Sequence, residues 1–343
     1  MSDFFRNKNG VWTFTLAGIV IVVAVVLYNV RSVMSYRSCS GVVWTTQYNI
    51  TYESDRMFDD SIQNVFTTVD NSMSMFNKTS LISKINKGEN IEVDSMLAVL
   101  YKASLNVNRE TGGAFDPTVS PLMKIWGFVD KNGIIPDSSV IDSVREFVGI
   151  EKTSFDGKNI IKNDIRTEFD FSAIAKGFAC DEIGRMLRRN GVENYLIEVG
   201  GEIALNGVNP KGIKWRISID APVEDMDAVN HENTVIVNLD KGGIATSGNY
   251  RNYMEVDGRK IVHTMNPATG YPEVSDLLSA TVIANNCMLA DAYATACMVM
   301  GLEGSKLFLH GRDDLSVMLI YAVGRDSMAL WSNDGFSRVM AEP

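Results

Sequence analysis

The pattern of hydrophobic and polar positions divides the chain into one long apolar run near the start and a much longer stretch of short periodic segments. The run, Val11–Val30, has twenty consecutive uncharged residues dominated by Val, Ile and Leu, with Arg6 and Lys8 before it and Arg31 after it. As a helix, a run of this length spans a bilayer core of ~30 Å. The pattern therefore predicts one N-terminal transmembrane helix.

Three other interpretations of this run remain open: a cleaved signal peptide, a buried helix, and a lipoprotein signal that ends at Cys39. The apolar part of a signal peptide usually has only about 7–15 residues, and a helix so close to the terminus has little to pack against. Tyr36 and the arginine after it stand where lipidation needs small residues. We therefore expect an uncleaved anchor, with residues 1–10 as a cytoplasmic tail, 31–41 as a linker and 42–343 as the folded domain.

Beyond the anchor, helix-like and strand-like periods alternate without β-α-β regularity. Apolar residues three or four positions apart predict helices over Asp55–Phe76, Asp94–Asn108, Asp137–Val148, Asp170–Asn190, Met288–Gly301 and Glu303–Leu309. Alternating and β-branched runs predict strands over Val42–Tyr52, Lys158–Asn163, Arg166–Phe169, Asn194–Asn206 (two strands around Gly200-Gly201), Lys214–Asp220, Thr234–Leu239, Gly243–Thr246, Tyr250–Ile261 (a hairpin around Asp257-Gly258), Ser279–Ala284, Ser316–Tyr321 and Ser327–Trp331. This mixed order favours an α+β fold, with largely antiparallel sheets and packed helices, over a doubly wound parallel sheet.

Composition mainly excludes classes of partner. The 343 residues suffice for a sizeable core. A net charge of −10, without a Lys/Arg cluster, argues against a nucleic-acid surface. The four cysteines form no C-x-x-C pair, so we expect neither a disulfide framework nor a zinc site. A phosphate-bearing ligand would need a local device, such as a metal ion, a helix N-terminus or one well-placed lysine.

One candidate site lies on the predicted helix Met288–Gly301, which is apolar apart from Asp291 and Thr295. Residues four apart share a helix face, and a carboxylate beside a hydroxyl offers the hard oxygen ligands that suit Mg²⁺. The same pattern is also typical of a buried helix whose Thr bonds back to a carbonyl and whose Asp lies in the first turn. The helix alone does not decide between a metal site and a packed core.

A second candidate is the start of the predicted helix Asp170–Asn190. Its first turns carry small residues, including Ala173, and a single lysine, Lys176. Backbone N–H groups at a helix start, together with a lysine, form a ready anion site. A face of small residues also lets helices pack closely, and the two roles are compatible.

Two loops complete the candidate chemistry. Thr111–Phe128 is interrupted by Gly and Pro, and Gly112 with Gly113 can bring bare backbone against a ligand. The alternative is a tight turn whose aromatic residues fill the core. His263–Gly270 opens from a strand into a constrained loop, and His263 is the one histidine of three in such a setting. A lone loop histidine is nevertheless more often inert than catalytic.

Six motifs connect these stretches: G-x-F-D-P-T-x-x-P-L-x-x-x-W-G-F (Gly113–Phe128), D-F-S-A-I-A-K-G-F-A-x-D (Asp170–Asp181), V-G-G-E-I (Val199–Ile203), T-S-G-N-Y (Thr246–Tyr250), H-x-x-N-P-x-T-G-x-P (His263–Pro272) and D-A-x-A-T-A (Asp291–Ala296). In this order they resemble the ApbE family of flavin transferases, FAD:protein FMN transferases that need Mg²⁺. The resemblance extends from about Val42 to the C-terminus.

The resemblance implies roles for individual residues. Asp291 and Thr295 would bind Mg²⁺ through their side chains and Ala173 through its backbone carbonyl. Contacts with FAD are implied for Trp44, Phe76, Ala114, Phe115, Asp116, Asp170, Lys176 and Met265. Trp44 stands where the family usually has the Met of Met-Gly-Thr, and Phe76 matches an aromatic position expected to stack on a ring of FAD.

The resemblance also implies the reaction and its partners. Mg²⁺ and Lys176 would clamp the pyrophosphate of the substrate FAD. His263 would act as general base on a Ser or Thr hydroxyl of an acceptor protein, since neutral imidazole predominates at pH 7. The products would be phosphoester-linked FMN and AMP. The acceptor would be a separate polypeptide such as a membrane redox subunit, and the anchor would hold the catalytic domain beside it on the outer, periplasmic face of the inner membrane.

Two other classes stay open at this point. A relative could bind or hydrolyse FAD without modifying a protein, which only an acceptor can decide. A membrane-tethered structural or scavenging protein without catalysis is the other, and the presence of Asp291, Thr295, Lys176 and His263 together argues against it.

Overall fold

The computed structural model describes residues 35–129, 135–220, 235–249, 253–256, 259–273, 275–324 and 327–341. The predicted anchor, Val11–Val30, lies outside these residues and remains a prediction. Among the helices of the described residues, none combines the length and the apolar character needed to cross a membrane.

An eight-stranded sheet forms the centre of the described structure. The strands cover Tyr36–Val43 (β1), Thr46–Glu53 (β2), Thr153–Phe155 (β3), Ile160–Lys162 (β4), Tyr195–Val199 (β5), Glu202–Asn206 (β6), Trp215–Ile219 (β7), Val235–Leu239 (β8), Lys241–Gly248 (β9), Tyr253–Val256 (β10), Arg259–Val262 (β11), Leu277–Ala284 (β12), Ser316–Val323 (β13) and Ser327–Ser332 (β14). The central sheet has the order β1-β2-β5-β6-β9-β12-β13-β14, and β3–β4, β7–β8 and β10–β11 form separate pairs. Neighbouring strands pair antiparallel throughout.

The helices lie between and after these strands. They cover Asp59–Met73 (α1), Leu81–Asn86 (α2), Ser95–Glu110 (α3), Ser120–Ile125 (α4), Ser138–Arg145 (α5), Ser172–Arg189 (α6), Cys287–Leu309 (α7) and Asp334–Ser337 (α8). The two longest, α6 and α7, pack against each other and on the central strands β5, β6, β9 and β12. The prediction of an α+β fold with largely antiparallel sheets is confirmed.

Both faces of the central sheet are covered, which explains why β12 is buried over almost its whole length. The largest apolar cluster fills the space between one face and α1, α3, α6 and α7. A second cluster, with Val237 and Phe336 at its centre, packs β7, β8 and α8 on the other face. A third, smaller cluster around Leu122 and Met265 supports the loops beside α4 and α5.

Four predicted elements differ clearly from the structure: two strands and the two C-terminal helices. The expected strand Val42–Tyr52 is a hairpin that turns at Trp44 and Thr45, whose φ angles of 48° and 65° lie in the left-handed region. Its first strand begins at Tyr36, within the segment 31–41 that we expected to be a linker. The predicted strand Arg166–Phe169 is wrong, because only Glu168 forms a bridge, with Val119. The two predicted C-terminal helices are joined in α7 across a kink at Gly301.

Candidate active site

The site is built on the crossing of α6 and α7, and glycine makes this crossing close. A Cβ atom on Gly177 would lie 2.3 Å from the carbonyl oxygen of Cys287, too near for any larger residue without a shift of the backbone. One turn further along α6, the Asp181 carboxylate accepts hydrogen bonds from the N–H groups of Cys287 and Met288 at 3.0 and 2.8 Å. The first turn of α7 is thereby fixed against the middle of α6.

This crossing buries Asp291 beside α6. Asp291 is 3% exposed, and its Oδ2 accepts a hydrogen bond from the N–H of Gly177 at 3.2 Å. Burial raises the pKa of this carboxyl, while the nearby Lys176 charge and the Gly177 N–H oppose that rise. One turn along α7, the Thr295 hydroxyl shares a hydrogen bond with the Ser247 hydroxyl at 3.3 Å. A carboxylate and a hydroxyl thus share one face of α7, as predicted.

Lys176 precedes Gly177 on α6, and its ammonium forms an ion pair with Glu202 at the start of β6. Burial by itself would lower the pKa of Lys176, but Glu202 and Asp291 outweigh it and raise that pKa. Burial raises the pKa of Glu202 to about 7, against the effect of Lys176. Glu202 reaches this position because Gly200 and Gly201, with φ angles of 64° and 101°, make the tight turn between β5 and β6.

The loop before α4 contributes a buried acid that mainly holds its own backbone. The Asp116 carboxylate accepts hydrogen bonds from the N–H and hydroxyl of Thr118 at 2.8 and 2.6 Å, from the N–H of Ile150 at 3.0 Å and from the Asn108 amide at 3.1 Å. Burial raises the pKa of Asp116, and the bonds from Thr118 and Ile150 oppose this. Asp116 therefore fixes the shape of the loop that lines the site.

The loop with His263 is tied down from two sides. The Thr264 hydroxyl donates to the buried Asn249 side chain at 2.6 Å, which joins this loop to the end of β9. The Trp126 indole donates to the carbonyl oxygen of Gly270 at 2.9 Å, which joins it to the end of α4. The imidazole thus stands on a constrained loop rather than on a free one.

All these segments meet at one cleft of about 540 Å³. The predicted site residues in its lining are Ala114, Phe115, Asp116, Asp170, Ala173, Lys176, His263, Met265, Asp291 and Thr295. They come from four separate stretches of the chain, so the fold brings together what the sequence keeps apart.

Trp44 and Phe76 are absent from the described lining of the cleft. The Trp44 indole donates to Asp70 at 3.1 Å, and the Asn77 amide donates to the other oxygen of Asp70 at 2.7 Å. Phe76, beside Asn77, is 73% exposed. Asp70 therefore links the two predicted ring-binding positions to each other, and their contact with FAD remains a prediction.

The cleft also contains residues outside the predicted site, although the sequence marks Glu198 and Glu202, on either side of Gly200 and Gly201, as candidates for a functional role. Glu202 and Ser247 belong to the V-G-G-E-I and T-S-G-N-Y motifs, so the motifs were a signal for them. Ile217–Asp220, at the end of β7, carried no such signal, because an alternating strand that lines a cleft has the same pattern as any half-buried strand.

The donor set fits a magnesium ion. Across the described residues, no three His, Cys, Asp or Glu side chains converge into a metal site. Asp291, Thr295 and Ala173 instead offer one carboxylate, one hydroxyl and one main-chain carbonyl on the same cleft. These hard oxygen donors suit Mg²⁺, which keeps several waters or phosphate oxygens in its shell.

Comparison with known proteins defines the class. The sequence pattern of the ApbE family matches residues 44–319. The FAD:protein FMN transferase of Vibrio cholerae serotype O1 is 36% identical over 275 residues, which are 77% of this chain and 81% of that protein. The enzyme of the same name from Escherichia coli K12 is 32% identical over 286 residues, 81% of this chain and 80% of that protein.

Solved structures also match this chain, and they come from the same family. The flavin transferase ApbE from Vibrio cholerae matches with a TM-score of 0.78 at 30% identity, covering 89% of this chain and 99% of that one. The apo flavinyl transferase ApbE of Pseudomonas stutzeri matches with a TM-score of 0.80 at 29% identity, covering 89% and 96%. The fold is therefore that of the ApbE flavin transferases. The chain belongs to the ApbE family.

Proposed function

We propose that this enzyme transfers the FMN moiety of FAD to a Ser or Thr hydroxyl of an acceptor protein and releases AMP, with Mg²⁺ as cofactor. The observation that carries the proposal is the convergence of Lys176, Asp291 and His263 on one cleft of about 540 Å³, a size typical of cofactor pockets. The relatives that are named FAD:protein FMN transferases support both the donor and the protein acceptor.

The charged side chains of the cleft indicate where the phosphates of FAD bind in this proposal. Lys176 binds the pyrophosphate oxygens of FAD, and the carboxylates around it keep its ammonium charged. The side chains of Asp291 and Thr295 and the carbonyl of Ala173 would hold Mg²⁺, which neutralises charge on the phosphates when bound. The negative charge of the whole chain is thereby offset where the anionic substrate lies.

The transfer step needs a base. His263 takes the proton of the acceptor hydroxyl while that oxygen bonds to the phosphorus of the FMN half. The P–O bond to the AMP half breaks, and AMP leaves with the bridging oxygen. The new bond is a phosphoester between FMN and the acceptor side chain.

The location is part of the proposal. Val11–Val30 anchors the enzyme in the inner membrane, with the catalytic domain on the outer face beside an acceptor such as a membrane redox subunit. The mass of the protein extracted from membranes tests this. A mature N-terminus at Cys39 that carries lipid would replace the anchor with a lipoprotein.

The activity is tested by incubation with FAD, Mg²⁺ and a purified candidate acceptor, followed by denaturing electrophoresis with in-gel flavin fluorescence and by assay of AMP. We expect a fluorescent acceptor band and equimolar AMP, both lost with EDTA. Release of FMN and AMP without a labelled acceptor would instead indicate an FAD hydrolase. No turnover of FAD with any acceptor, despite bound Mg²⁺, contradicts the proposal.

A further inference from the structure

We infer that Glu202 is a positioning residue, which fixes the Lys176 ammonium where the pyrophosphate of FAD binds. The inference rests on the proposed function and adds to it a residue that acts through Lys176. Glu202 lies in the lining of the cleft, 4% exposed, and its Oε1 forms the ion pair with Lys176.

The two partners differ in rigidity. Lys176 has a flexible four-carbon stem, and about a third of its side chain (34%) is exposed. Glu202 stands on the first residue of β6, where it pairs with Val199 across the hairpin. The turn that precedes it is held closely against β2: a Cβ atom on Gly200 would lie only 2.8 Å from the Thr46 hydroxyl. The strand therefore provides the fixed point and the lysine provides the mobile group.

The second oxygen of Glu202 indicates that the fold does not require this carboxylate. Oε2 is buried and accepts no hydrogen bond from the residues that the structure describes. A buried polar atom without a partner costs free energy, so a carboxylate that served only stability would be expected to have both oxygens paired. Buried polar atoms of this kind in native proteins often mark a functional role.

Glu198 provides a matched control on the same hairpin. It lies in the cleft lining too, pairs with Ile203 across the hairpin, and accepts a hydrogen bond from the Asn49 amide at 3.1 Å. Glu198→Gln removes the same charge as Glu202→Gln but leaves the ion pair of Lys176 intact. A general effect of cleft charge on an anionic substrate would affect both variants.

The test is a double-mutant cycle on FAD affinity and on kcat/KM for FMN transfer, with Glu202→Gln, Lys176→Met and both together. We expect Glu202→Gln to weaken FAD binding about 10- to 100-fold when Lys176 is present, as for loss of a charge-assisted hydrogen bond. In the Lys176→Met background the same change should have less than about a threefold effect. Glu198→Gln should stay within about threefold in either background.

A second readout does not depend on activity. An amine-reactive acetyl ester is applied to each protein, and acetylation of Lys176 is followed by peptide mass mapping. We expect faster acetylation of Lys176 in Glu202→Gln than in wild type or Glu198→Gln, with each protein shown to be folded by a cooperative thermal unfolding transition. If Glu202→Gln fails to fold, Glu202→Asp replaces it, since it keeps the charge but shortens the side chain by one methylene.

Equal effects of Glu202→Gln with and without Lys176, or none on affinity and acetylation, would overturn the inference. FMN transfer by the wild type is measured first, because it distinguishes failure of the proposed function from failure of the inference about Glu202. If the wild type transfers FMN but the effects of Glu202→Gln and Lys176→Met are additive, only the role of Glu202 is overturned. A wild type that does not bind FAD overturns the proposed function and this inference with it.

Discussion

Among single residues, Asp116 and Asp291 are two buried carboxylates that line one cleft but differ in their hydrogen-bond partners. Asp116 accepts hydrogen bonds from Thr118, Ile150 and Asn108 and holds its loop. Asp291 accepts one from the Gly177 N–H and lies near enough to Lys176 for the ammonium charge to lower its pKa against the effect of burial. We therefore expect Asp116 to matter for folding and Asp291 for the cation.

Asp291→Asn should abolish most Mg²⁺-dependent FMN transfer while the protein still folds, because Asn keeps the acceptor for the Gly177 N–H but loses the charge that binds the cation. Without metal, its free energy of unfolding should equal or exceed that of wild type, since a buried negative charge is costly. Urea unfolding in EDTA and transfer assays with Mg²⁺ measure the two quantities. Normal Mg²⁺-dependent transfer by the variant would place the metal site elsewhere.

His263→Ala separates catalysis from binding. If His263 is the base, the variant should bind FAD and Mg²⁺ as before and lose acceptor flavinylation by about 10²–10⁴-fold, the usual contribution of a positioned base. Fluorescence quenching reports FAD affinity, and in-gel fluorescence reports the rate. If affinity falls together with rate, the histidine serves to shape its loop. An unchanged rate removes it from the mechanism.

Among the secondary-structure elements, the approach of α6 to α7 decides the site. Gly177→Ala should destabilise the protein by about 1–3 kcal/mol, the usual cost of overpacking, and should weaken FAD binding, because the new methyl group meets the Cys287 carbonyl. Gly304→Ala is the control, since its Cβ meets only the Met300 side chain, at 3.1 Å. Chemical unfolding should show it neutral or up to about 1 kcal/mol more stable. Equal effects of both substitutions contradict this.

The elements also show what the sequence could and could not predict. Long periodic helices such as Ser95–Glu110, with the Asp94 cap, were predictable because local pattern and capping agree. The hairpin at Trp44 and Thr45 was not, since a bulky pair at positive φ lacks the Asn-Gly signal of such turns. The kink at Gly301 was visible only as the end of one helix.

For the molecule as a whole, the residues that line the cleft were easier to predict than their arrangement. Residue types and motifs pointed to Asp291, Lys176 and His263 separately. Their meeting depends on sheet order and on contacts such as that of Gly177 with Asp291, 114 positions apart. Such long-range packing leaves no periodic trace in the sequence, which is also why the ion pair of Lys176 with Glu202 was not predicted.

The buried charge of Glu202 should make the stability of the whole molecule depend on pH. Its folded pKa of about 7 lies above the ordinary value of 4.5, because burial favours the neutral form. Its contribution to the free energy of unfolding is therefore fully present below the unfolded pKa and is lost as pH rises through about 7.

We thus expect the free energy of unfolding of wild type, minus that of Glu202→Gln, to fall as pH rises from about 5 to about 8. Urea unfolding of both proteins in EDTA at several pH values measures this difference. A difference that is constant or that grows with pH contradicts the assignment.

The long sequence separation between Gly177 and Asp291 affects when the cleft can form during synthesis of the chain. A ribosome that adds about 5–20 residues per second needs roughly 6 to 23 seconds to make the 114 positions between them. For that interval a growing chain carries α6 with Lys176 but not α7, which packs against α6 in the finished fold. The cleft therefore forms late in synthesis. A chain that ends before α7 lacks the residues of α7 that line the cleft, and so lacks part of the proposed FAD site.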